Sequence, residues 1–271
     1  MNNKQHSSKE QHKRIVIKVG TNLLTTKQRQ FDSKKIKLIS NQIIKLKQLN
    51  KEIVLVSSGA ITLGKGKIKY KDTITSIEIK QATAAIGQSF LITEWNNAFK
   101  ESGIITAQAL LTRLDLTNQI SSVNVRNTLL KLLELNTVPI INENDVVSTE
   151  EIESSTIGDN DNLSAFVAKL IDADLLIILT DQDGLFDKNP THVKNAKLIK
   201  KITKIDQQIK NFAQGSSSIN GTGGMITKVE AAEIATNNGI DVIIANGNIP
   251  NIIDKVLSNA PIGTHFLAKK I

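Results

Sequence analysis

Short amides, carboxylates and hydroxyls are concentrated between residues 142 and 165, and this segment carries the strongest signal for chemistry. An apolar run at 138–141 precedes it, and a helix-like pattern at 163–171 follows its polar part. In a core each such side chain would need a buried partner, whereas at a strand end or a helix start it can cap free N–H groups. The carboxyl edge of an α/β sheet is also where such folds bind ligands. The segment therefore predicts a binding site, with a solvated loop as the alternative.

Two lysines occupy positions from which they could neutralise an anion. Lys18 stands near the end of an apolar strand and is followed by Gly20. A lysine in such a strand is costly unless it reaches water or meets an anion. Lys228 lies near the start of a helix that a glycine-rich segment, 221–224, opens, where the free N–H groups and the helix dipole attract phosphate. A strand-end lysine in water and a flexible loop before a helix are the alternatives.

Two further strand ends carry polar residues and glycine, at 57–59 and at 180–184. The segment 59–65 also nearly matches the phosphate-loop pattern GxxxxGK, but Gly66 stands where Mg²⁺ binding would need Ser or Thr. Because this segment resembles the opening of a helix, we interpret the match as chance. The strand ends and helix starts thus carry glycines, acidic residues and two lysines that could bind an anion. This combination suits phosphoryl transfer, in which positioning and charge neutralisation provide most of the catalysis.

Apolar runs alternate with helix-like segments almost from end to end of the chain. The strands are short, continuous and aliphatic, which is typical of a parallel sheet covered by helices on both faces. We therefore predict an α/β fold with an open, mainly parallel central sheet in a three-layer αβα sandwich. Residues 14–271 would form a single domain after a disordered tail at 1–13, and residues 184–202 could hold a small antiparallel hairpin. Strands are predicted at 15–19, 53–56, 104–111, 138–141, 175–179, 242–245 and near 266; helices are predicted at 31–49, 77–100, 123–135, 163–171, 225–237 and 252–257.

Composition excludes several classes of function. The 271 residues contain no cysteine, which excludes disulfides, a thiolate metal site and a cysteine nucleophile, and the four histidines show no metal-ligand spacing. The net charge is +8, but 30 of the 34 basic residues are lysines and aromatics make up only 3%. Nucleic-acid readers favour arginine and aromatics, so a solvated lysine-rich surface or attraction of nucleotides is preferred over nucleic-acid binding. Without a secretory or membrane segment, we expect a cytoplasmic protein.

At these residues the sequence resembles the amino acid kinase family and, within it, the glutamate 5-kinases. The motifs occur in family order and cover nearly the whole chain after the tail, and the pair at 142–145 and 158–165 is highly specific within the family. Many members carry an accessory RNA-modification-type (PUA) domain, and this chain, which ends near where the kinase domain ends, resembles the short form. The motifs are Lys18-Val19-Gly20-Thr21, Ser57-Ser58-Gly59-Ala60, Ile141-Asn142-Glu143-Asn144-Asp145, Gly158-Asp159-Asn160-Asp161-Asn162-Leu163-Ser164-Ala165, Thr180-Asp181 with Gly184-Leu185-Phe186, and Gly223-Gly224-Met225 with Lys228.

The resemblance implies roles for individual residues. Lys18 and Lys228 would neutralise the transferring phosphoryl group, and Asp161 would hold both lysines in place. The N-terminal half would bind the acceptor, with Asp145 as partner of its α-ammonium group, and the C-terminal half would bind ATP. The acceptor residues would be Ser58, Gly59, Asn142, Asp145 and Asn160. The ATP contacts would be Lys18, Gly20, Thr180, Asp181, Thr222, Gly223, Gly224, Met225, Ile226, Thr227 and Lys228.

The implied reaction transfers the ATP γ-phosphoryl group to the side-chain carboxylate of L-glutamate, giving γ-glutamyl phosphate, the first intermediate of proline synthesis. Mg²⁺ would be bound mainly through the ATP phosphates, without a metal site made by the protein. The resemblance also implies feedback inhibition by proline and a homodimer or homotetramer. The alternatives are a sister kinase acting on acetylglutamate, aspartate, carbamate or UMP, and a non-catalytic regulator that binds an amino acid or a nucleotide. A free α-ammonium needs an anionic partner, so Asp145 favours glutamate over acetylglutamate.

Overall fold

A computed structural model of the chain describes residues 12–26, 30–70, 72, 74, 76–147, 160–214, 224–258 and 260–269. Most of the predicted tail and the predicted ATP contacts Thr222 and Gly223 lie outside these residues. The strands are β1 Arg14–Val19, β2 Glu52–Ser57, β3 Thr106–Leu111, β4 Val138–Glu143, β5 Leu175–Thr180, β6 Lys201–Ile202, β7 Asp241–Asn246 and β8 Thr264–Phe266. The helices are α1 Ser33–Gln48, α2 Ala60–Lys67, α3 Ile77–Lys100, α4 Arg113–Thr117, α5 Gln119–Glu134, α6 Asn160–Leu170, α7 Gln207–Gln214, α8 Met225–Thr236 and α9 Ile252–Leu257, with a 3₁₀ turn at Thr21–Leu24.

One eight-stranded sheet runs through the described part of the chain in the order β3-β4-β2-β1-β5-β7-β8-β6. The six strands from β3 to β7 are parallel, and β8 pairs antiparallel with β7. The predicted open, mainly parallel sheet is therefore confirmed. Strands β2, β3 and β4 all lie on one side of β1, and the next strand along the chain, β5, lies on its other side. This reversal leaves the carboxyl ends of β1 and β5 at a topological switch point, where parallel sheets form a ligand crevice.

Successive side chains of each central strand enter two different cores. On one face, Val16 and Ile178 pack with side chains of α5, α6 and α8. On the other, Ile17 and Ile177 pack with side chains of α1, α2, α3 and α9. Because both faces are covered, the strands need apolar residues at every position, and this explains why they read as continuous aliphatic runs.

Helix α1 illustrates how local sequence sets an element in place. The Asp32 side chain caps the helix by accepting a hydrogen bond from the backbone N–H of Lys34 at 3.0 Å. Ile36, Ile39 and Ile43 lie on one face and are buried against the sheet. The N-cap and the apolar stripe together fix where the helix starts and which way it faces.

Helices α2 and α3 cross at unusually close range because glycines stand at the crossing. A Cβ atom added to Gly64 would lie 1.8 Å from the carbonyl oxygen of Thr83. One added to Gly87 would lie 1.8 Å from the carbonyl oxygen of Ala60. Neither position admits a side chain without separating the helices. The segment at 60–67 is helical, which favours the interpretation of the near-match to a phosphate loop as chance.

Some elements differ from the sequence-based expectation. Helix α5 begins at Gln119, four residues before the predicted start, because the Asn118 side chain caps the backbone N–H groups of Ile120 and Ser121. Helices α4 and α7 were not predicted, since each is short. The expected hairpin at 184–202 is reduced to one antiparallel bridge between Phe186 and Leu198. In the described part of the chain, no helix is long and apolar enough to cross a membrane.

Candidate active site

The candidate site lies at the carboxyl edge of the sheet, where β1, β2, β4 and β5 end side by side. The backbone N–H of Ser58 donates to the carbonyl of Val19 at 3.1 Å, and that of Gly20 donates to Leu179 at 3.3 Å. These bonds hold the loops after neighbouring strands against one another. Helices α6 and α8 begin at the same edge, so residues distant in sequence meet there.

Three charged side chains, here called the charge cluster, meet beneath this edge: Lys18, Asp161 and Lys228. The ammonium nitrogen of Lys18 lies 2.6 Å from Oδ1 of Asp161, and that of Lys228 lies 3.0 Å from Oδ2. Asp161 is fully buried, and Lys18 and Lys228 are 3% and 7% exposed. One carboxylate therefore separates and orients two ammonium groups, which leaves the cluster with an excess positive charge.

The electrostatics of Asp161 keep the charge cluster ionised. Burial alone would raise the pKa of this carboxyl, because a low dielectric disfavours the charged form. The charges of Lys18 and Lys228, and the hydrogen bonds that both donate, outweigh burial and hold the pKa of Asp161 well below its ordinary value. Asp161 is therefore an anion at any physiological pH and cannot serve as a proton donor.

The start of helix α8 fixes the position of Lys228. The Thr227 hydroxyl lies 2.9 Å from Oδ2 of Asp161 and 2.9 Å from the Gly224 carbonyl oxygen. Lys228 also donates to that carbonyl, at 3.3 Å. The ammonium nitrogen of Lys228 thus lies between two acceptors, Asp161 and the Gly224 carbonyl, and Thr227 holds the same two acceptors in place. This is the arrangement needed for a charge that must meet a developing negative charge without reorganising.

A second arrangement, here called the amide chain, links Gln88, Asn142, Asn160 and Ser58. The Nδ2 group of Asn142 donates to Oε1 of Gln88 at 2.8 Å. The Nδ2 group of Asn160 donates to Oδ1 of Asn142 at 3.0 Å and to the Ser58 hydroxyl at 2.9 Å. Asn142 is thus bound at both its nitrogen and its oxygen end, and Asn160 is bound at its nitrogen end.

The amide chain ends at an acceptor that the described residues leave without a partner. Oδ1 of Asn160 is buried and no described residue donates to it. A buried acceptor without a donor costs about 1–3 kcal/mol, so the position suits an incoming N–H group. Gly59, beside Ser58, has a φ of 113°, a backbone conformation that favours glycine, and it starts the turn into α2.

Asp145 lies just after β4, where burial and a nearby lysine shift its pKa in opposite directions. Burial raises the pKa of this carboxyl to about 6, although the charge of Lys80 works in the opposite direction. Burial likewise lowers the pKa of Lys80, and the carboxylates of Asp145 and Glu143 offset part of that shift. Asp145 can therefore act as an anionic partner at pH 7 but loses this ability within the ordinary biological pH range.

Three of the predicted ATP contacts, Gly20, Thr180 and Asp181, lie at the ends of β1 and β5. Thr180 is buried, and its hydroxyl lies 3.2 Å from Oδ1 of Asp181. The side-chain amide of Asn22 donates to Oδ2 of Asp181 at 3.0 Å, which ties the loop after β1 to the loop after β5. The side chains of Met225 and Ile226 pack into the core. At the start of α8 these two residues can therefore offer a ligand their backbone groups.

Three residues at the site were not identified from the sequence. Gln88 and Lys80 both lie in helix α3, which reads as an ordinary Ala-rich helix, and Asn22 lies in the 3₁₀ turn. The only local signal for Gln88 is that it follows Gly87, a glycine inside a long helix, and this indicates a close contact. Which partner the glutamine would meet depends on the crossing of two helices, and no spacing in the sequence encodes that.

The amino acid kinase family profile matches residues 13–246 of this chain. Among curated relatives, a glutamate 5-kinase of Dehalococcoides mccartyi is 46% identical over 94% of this chain and 69% of its own length. One of Clostridium perfringens is 46% identical over 95% of this chain and 96% of its own length. One of Shewanella oneidensis is 48% identical over 95% of this chain and 68% of its own length.

Solved structures support the fold. A UMP kinase of Bacillus anthracis superposes with a TM-score of 0.64 at 15% identity, covering 96% of this chain and 97% of that one. A carbamate kinase of Giardia lamblia superposes with a TM-score of 0.63 at 19% identity, covering 95% and 99%. At such low identity the likeness concerns the architecture and not the substrate.

Proposed function

The chain belongs to the amino acid kinase family and, within it, to the glutamate 5-kinases, and on this basis we propose that it transfers the γ-phosphoryl group of ATP to the side-chain carboxylate of L-glutamate. The product is γ-glutamyl phosphate, an activated acid and the first intermediate of proline synthesis.

The observation that carries this proposal is the charge cluster. Two lysines from opposite ends of the chain are held by one buried carboxylate at the carboxyl edge of the sheet. A non-catalytic binding protein would gain little from two lysines confined in this way, because their desolvation is costly. A kinase gains a fixed positive field where the phosphoryl group passes from donor to acceptor.

The chemistry requires little more than position and charge. A glutamate side-chain oxygen attacks the γ-phosphorus, an O–P bond forms, and the bond from phosphorus to the β,γ-bridging oxygen breaks to release ADP. The attacking carboxylate is ionised at pH 7, since its ordinary pKa is about 4.3, so no general base is needed. Lys18 and Lys228 offset the negative charge on the transferring group, and Asp161 is a positioning residue for both.

The proposal assigns the acceptor to the N-terminal half of the domain. Asp145 pairs with the α-ammonium group of glutamate, and Ser58, Asn142 and Asn160 provide the surrounding polar contacts. Gly59 lets the substrate approach the backbone closely. The support is that Ser58, Asn142 and Asn160 form one hydrogen-bonded chain beside the charge cluster.

ATP is assigned to the C-terminal half. Thr180 and Asp181 follow β5, and Gly20 follows β1 beside them, while residues 222–228 contribute the start of α8 to the phosphates. Among the described residues no cluster of three or more His, Asp or Glu side chains could hold a metal ion. We expect Mg²⁺ to be bound mainly through the ATP phosphates, where it adds charge neutralisation.

The proposal extends to regulation, assembly and location. Proline keeps an α-carboxylate and a secondary ammonium that Asp145 could hold, but it has no side-chain carboxylate to phosphorylate, so we expect competitive inhibition by proline. We also expect a cytoplasmic homodimer or homotetramer. Helix α3 offers the half-exposed Phe90 as a subunit contact, whereas Trp95 in the same helix is buried in the core and donates to the Ser57 hydroxyl at 2.9 Å.

The deciding experiment is a coupled assay of ADP release with L-glutamate, acetylglutamate, aspartate, carbamate and UMP as acceptors. Glutamate should give the highest kcat/KM, and proline should raise the apparent KM for glutamate without changing kcat. Higher kcat/KM with acetylglutamate would overturn the acceptor assignment. Absence of ADP release with every acceptor would favour a binding protein over a kinase.

A further inference from the structure

We propose that Gln88 is a specificity-determining positioning residue, which sets the direction of the amide chain and thereby presents Oδ1 of Asn160 to the α-ammonium group of the acceptor. The inference deepens the proposed function and rests on it. Gln88 would touch no reacting atom and would act through Asn142 and Asn160.

Gln88 reaches the site through the close crossing of helices α2 and α3. It follows Gly87, whose missing side chain lets α3 come within contact of the Ala60 carbonyl at the start of α2. Gly64 provides the same clearance on the opposite helix. Since α2 begins directly after Ser58 and Gly59, the close crossing brings Gln88 next to the loop that the acceptor is expected to meet.

The hydrogen bonds of the amide chain run in one direction, from donor to acceptor. An amide side chain can usually rotate by half a turn and exchange its oxygen and nitrogen ends. Here Oε1 of Gln88 accepts from Nδ2 of Asn142, which leaves Oδ1 of Asn142 as an acceptor. That oxygen, together with the Ser58 hydroxyl, then accepts both N–H bonds of Asn160.

The direction of the amide chain determines which group Asn160 presents to the acceptor. With both of its N–H bonds used, Asn160 can only present its oxygen, and this oxygen is the buried acceptor to which no described residue donates. A cationic N–H donor satisfies that position, whereas a carboxylate would be repelled from it. Reversing the chain would present an NH₂ group and reverse this preference. Gln88 is therefore suited to discriminate acceptors with a free α-ammonium from those without one.

The test compares Gln88→Leu, which removes the acceptor at similar size, with Gln88→Glu, which keeps an oxygen acceptor for Asn142. Asn97→Leu, an exposed amide farther along the same helix, is the matched control. For each variant the kcat, the KM for glutamate, the KM for ATP and the inhibition constant of glutarate are measured. Glutarate is glutamate without its α-amino group.

Gln88→Leu should raise the KM for glutamate roughly tenfold, the cost of one lost hydrogen bond to a charged group. Its kcat, its KM for ATP and its glutarate inhibition constant should stay within about threefold of wild type, and Gln88→Glu should restore the KM for glutamate. An unchanged KM in Gln88→Leu would overturn the inference. So would an equal weakening of glutarate, or a Gln88→Glu variant as impaired as Gln88→Leu.

Thermal unfolding of each variant identifies loss of folding, and Gln88→Met, which has an unbranched side chain of similar length, replaces Gln88→Leu if that variant does not fold. Failure of the proposed function is recognised separately in the wild-type protein. If wild type phosphorylates another acceptor better than glutamate, the function assignment fails. If wild type prefers glutamate and the Gln88 variants do too with unchanged KM, only the inference about Gln88 fails.

Discussion

The charge cluster and the amide chain lie side by side at one edge of the sheet, yet they are built on opposite principles. The charge cluster consists of full charges that are buried and mutually paired. The amide chain consists of neutral groups whose order is directional and which ends at a buried acceptor. Phosphoryl transfer needs charges held at fixed positions, and a charge has no donor or acceptor direction. Recognition of an amino acid needs a defined pattern of donors and acceptors.

The largest effect in this comparison should come from removing the anion of the charge cluster. Asp161→Asn removes the buried carboxylate that pairs with two buried lysines, so we expect a loss of about 3–5 kcal/mol in the free energy of unfolding. Activity should be abolished, because neither lysine keeps its position. Urea denaturation and ADP release measure the two effects. Asp172→Asn, an exposed carboxylate paired with Arg126, is the control and should change neither by much; equal stability of the two variants would contradict the account.

Removing one cation should affect rate more than binding. Lys228→Ala should lower kcat on the order of 10²-fold or more, because its charge meets the transition state, with a smaller change in the KM for glutamate. Steady-state kinetics with both substrates varied provide the measurement. The control is Lys210→Ala, which removes a half-exposed lysine paired with Glu233 on the neighbouring helix. An unchanged kcat in Lys228→Ala would exclude Lys228 from the catalytic role.

Glutamate binding at Asp145, unlike the charge cluster, should respond to pH. The pKa of Asp145 is raised to about 6, so its carboxylate is ionised at pH 7 and becomes protonated as the pH falls through 6. The KM for glutamate should therefore rise as pH falls, by about tenfold between pH 7.5 and 5. Asp145→Asn should have a high KM at every pH and a flat profile, while Asp161 keeps its charge throughout. A wild-type KM in Asp145→Asn would remove this residue from acceptor binding.

The smallest effect is expected for a lysine outside both arrangements. Lys65 lies at the end of α2, where its ammonium group is 5.5 Å from the centre of the Tyr70 ring and donates to the Asp72 carbonyl. Lys65→Ala should leave the KM for ATP within about threefold, as for a screened surface charge. A large loss of ATP affinity would restore the phosphate-loop interpretation of 59–65.

All three members of the charge cluster were predicted as site residues, whereas the amide chain was predicted without Gln88. Lys18 and Lys228 each carry a local mark, since a charge in an apolar strand or at a helix start is conspicuous, and the family resemblance assigned Asp161 to them. The fold was predictable for a similar reason, because strands covered on both faces must be aliphatic throughout. Gln88 carries no such mark. Its role depends on a helix crossing at Gly64 and Gly87, and the geometry of that crossing arises only when distant segments pack.

The spread of the charge cluster along the chain has a consequence for biosynthesis. The ribosome makes Lys18 first and Asp161 only after more than half of the chain, and Lys228 follows 67 residues later. A nascent chain that has reached α6 can bury the first two as a neutral ion pair, but the excess positive charge appears only when α8 docks. Competence for catalysis therefore arises late in synthesis. Two fragments divided in the exposed turn at 194–195 would separate Lys228 from its partners, so that kinase activity would report their reassembly.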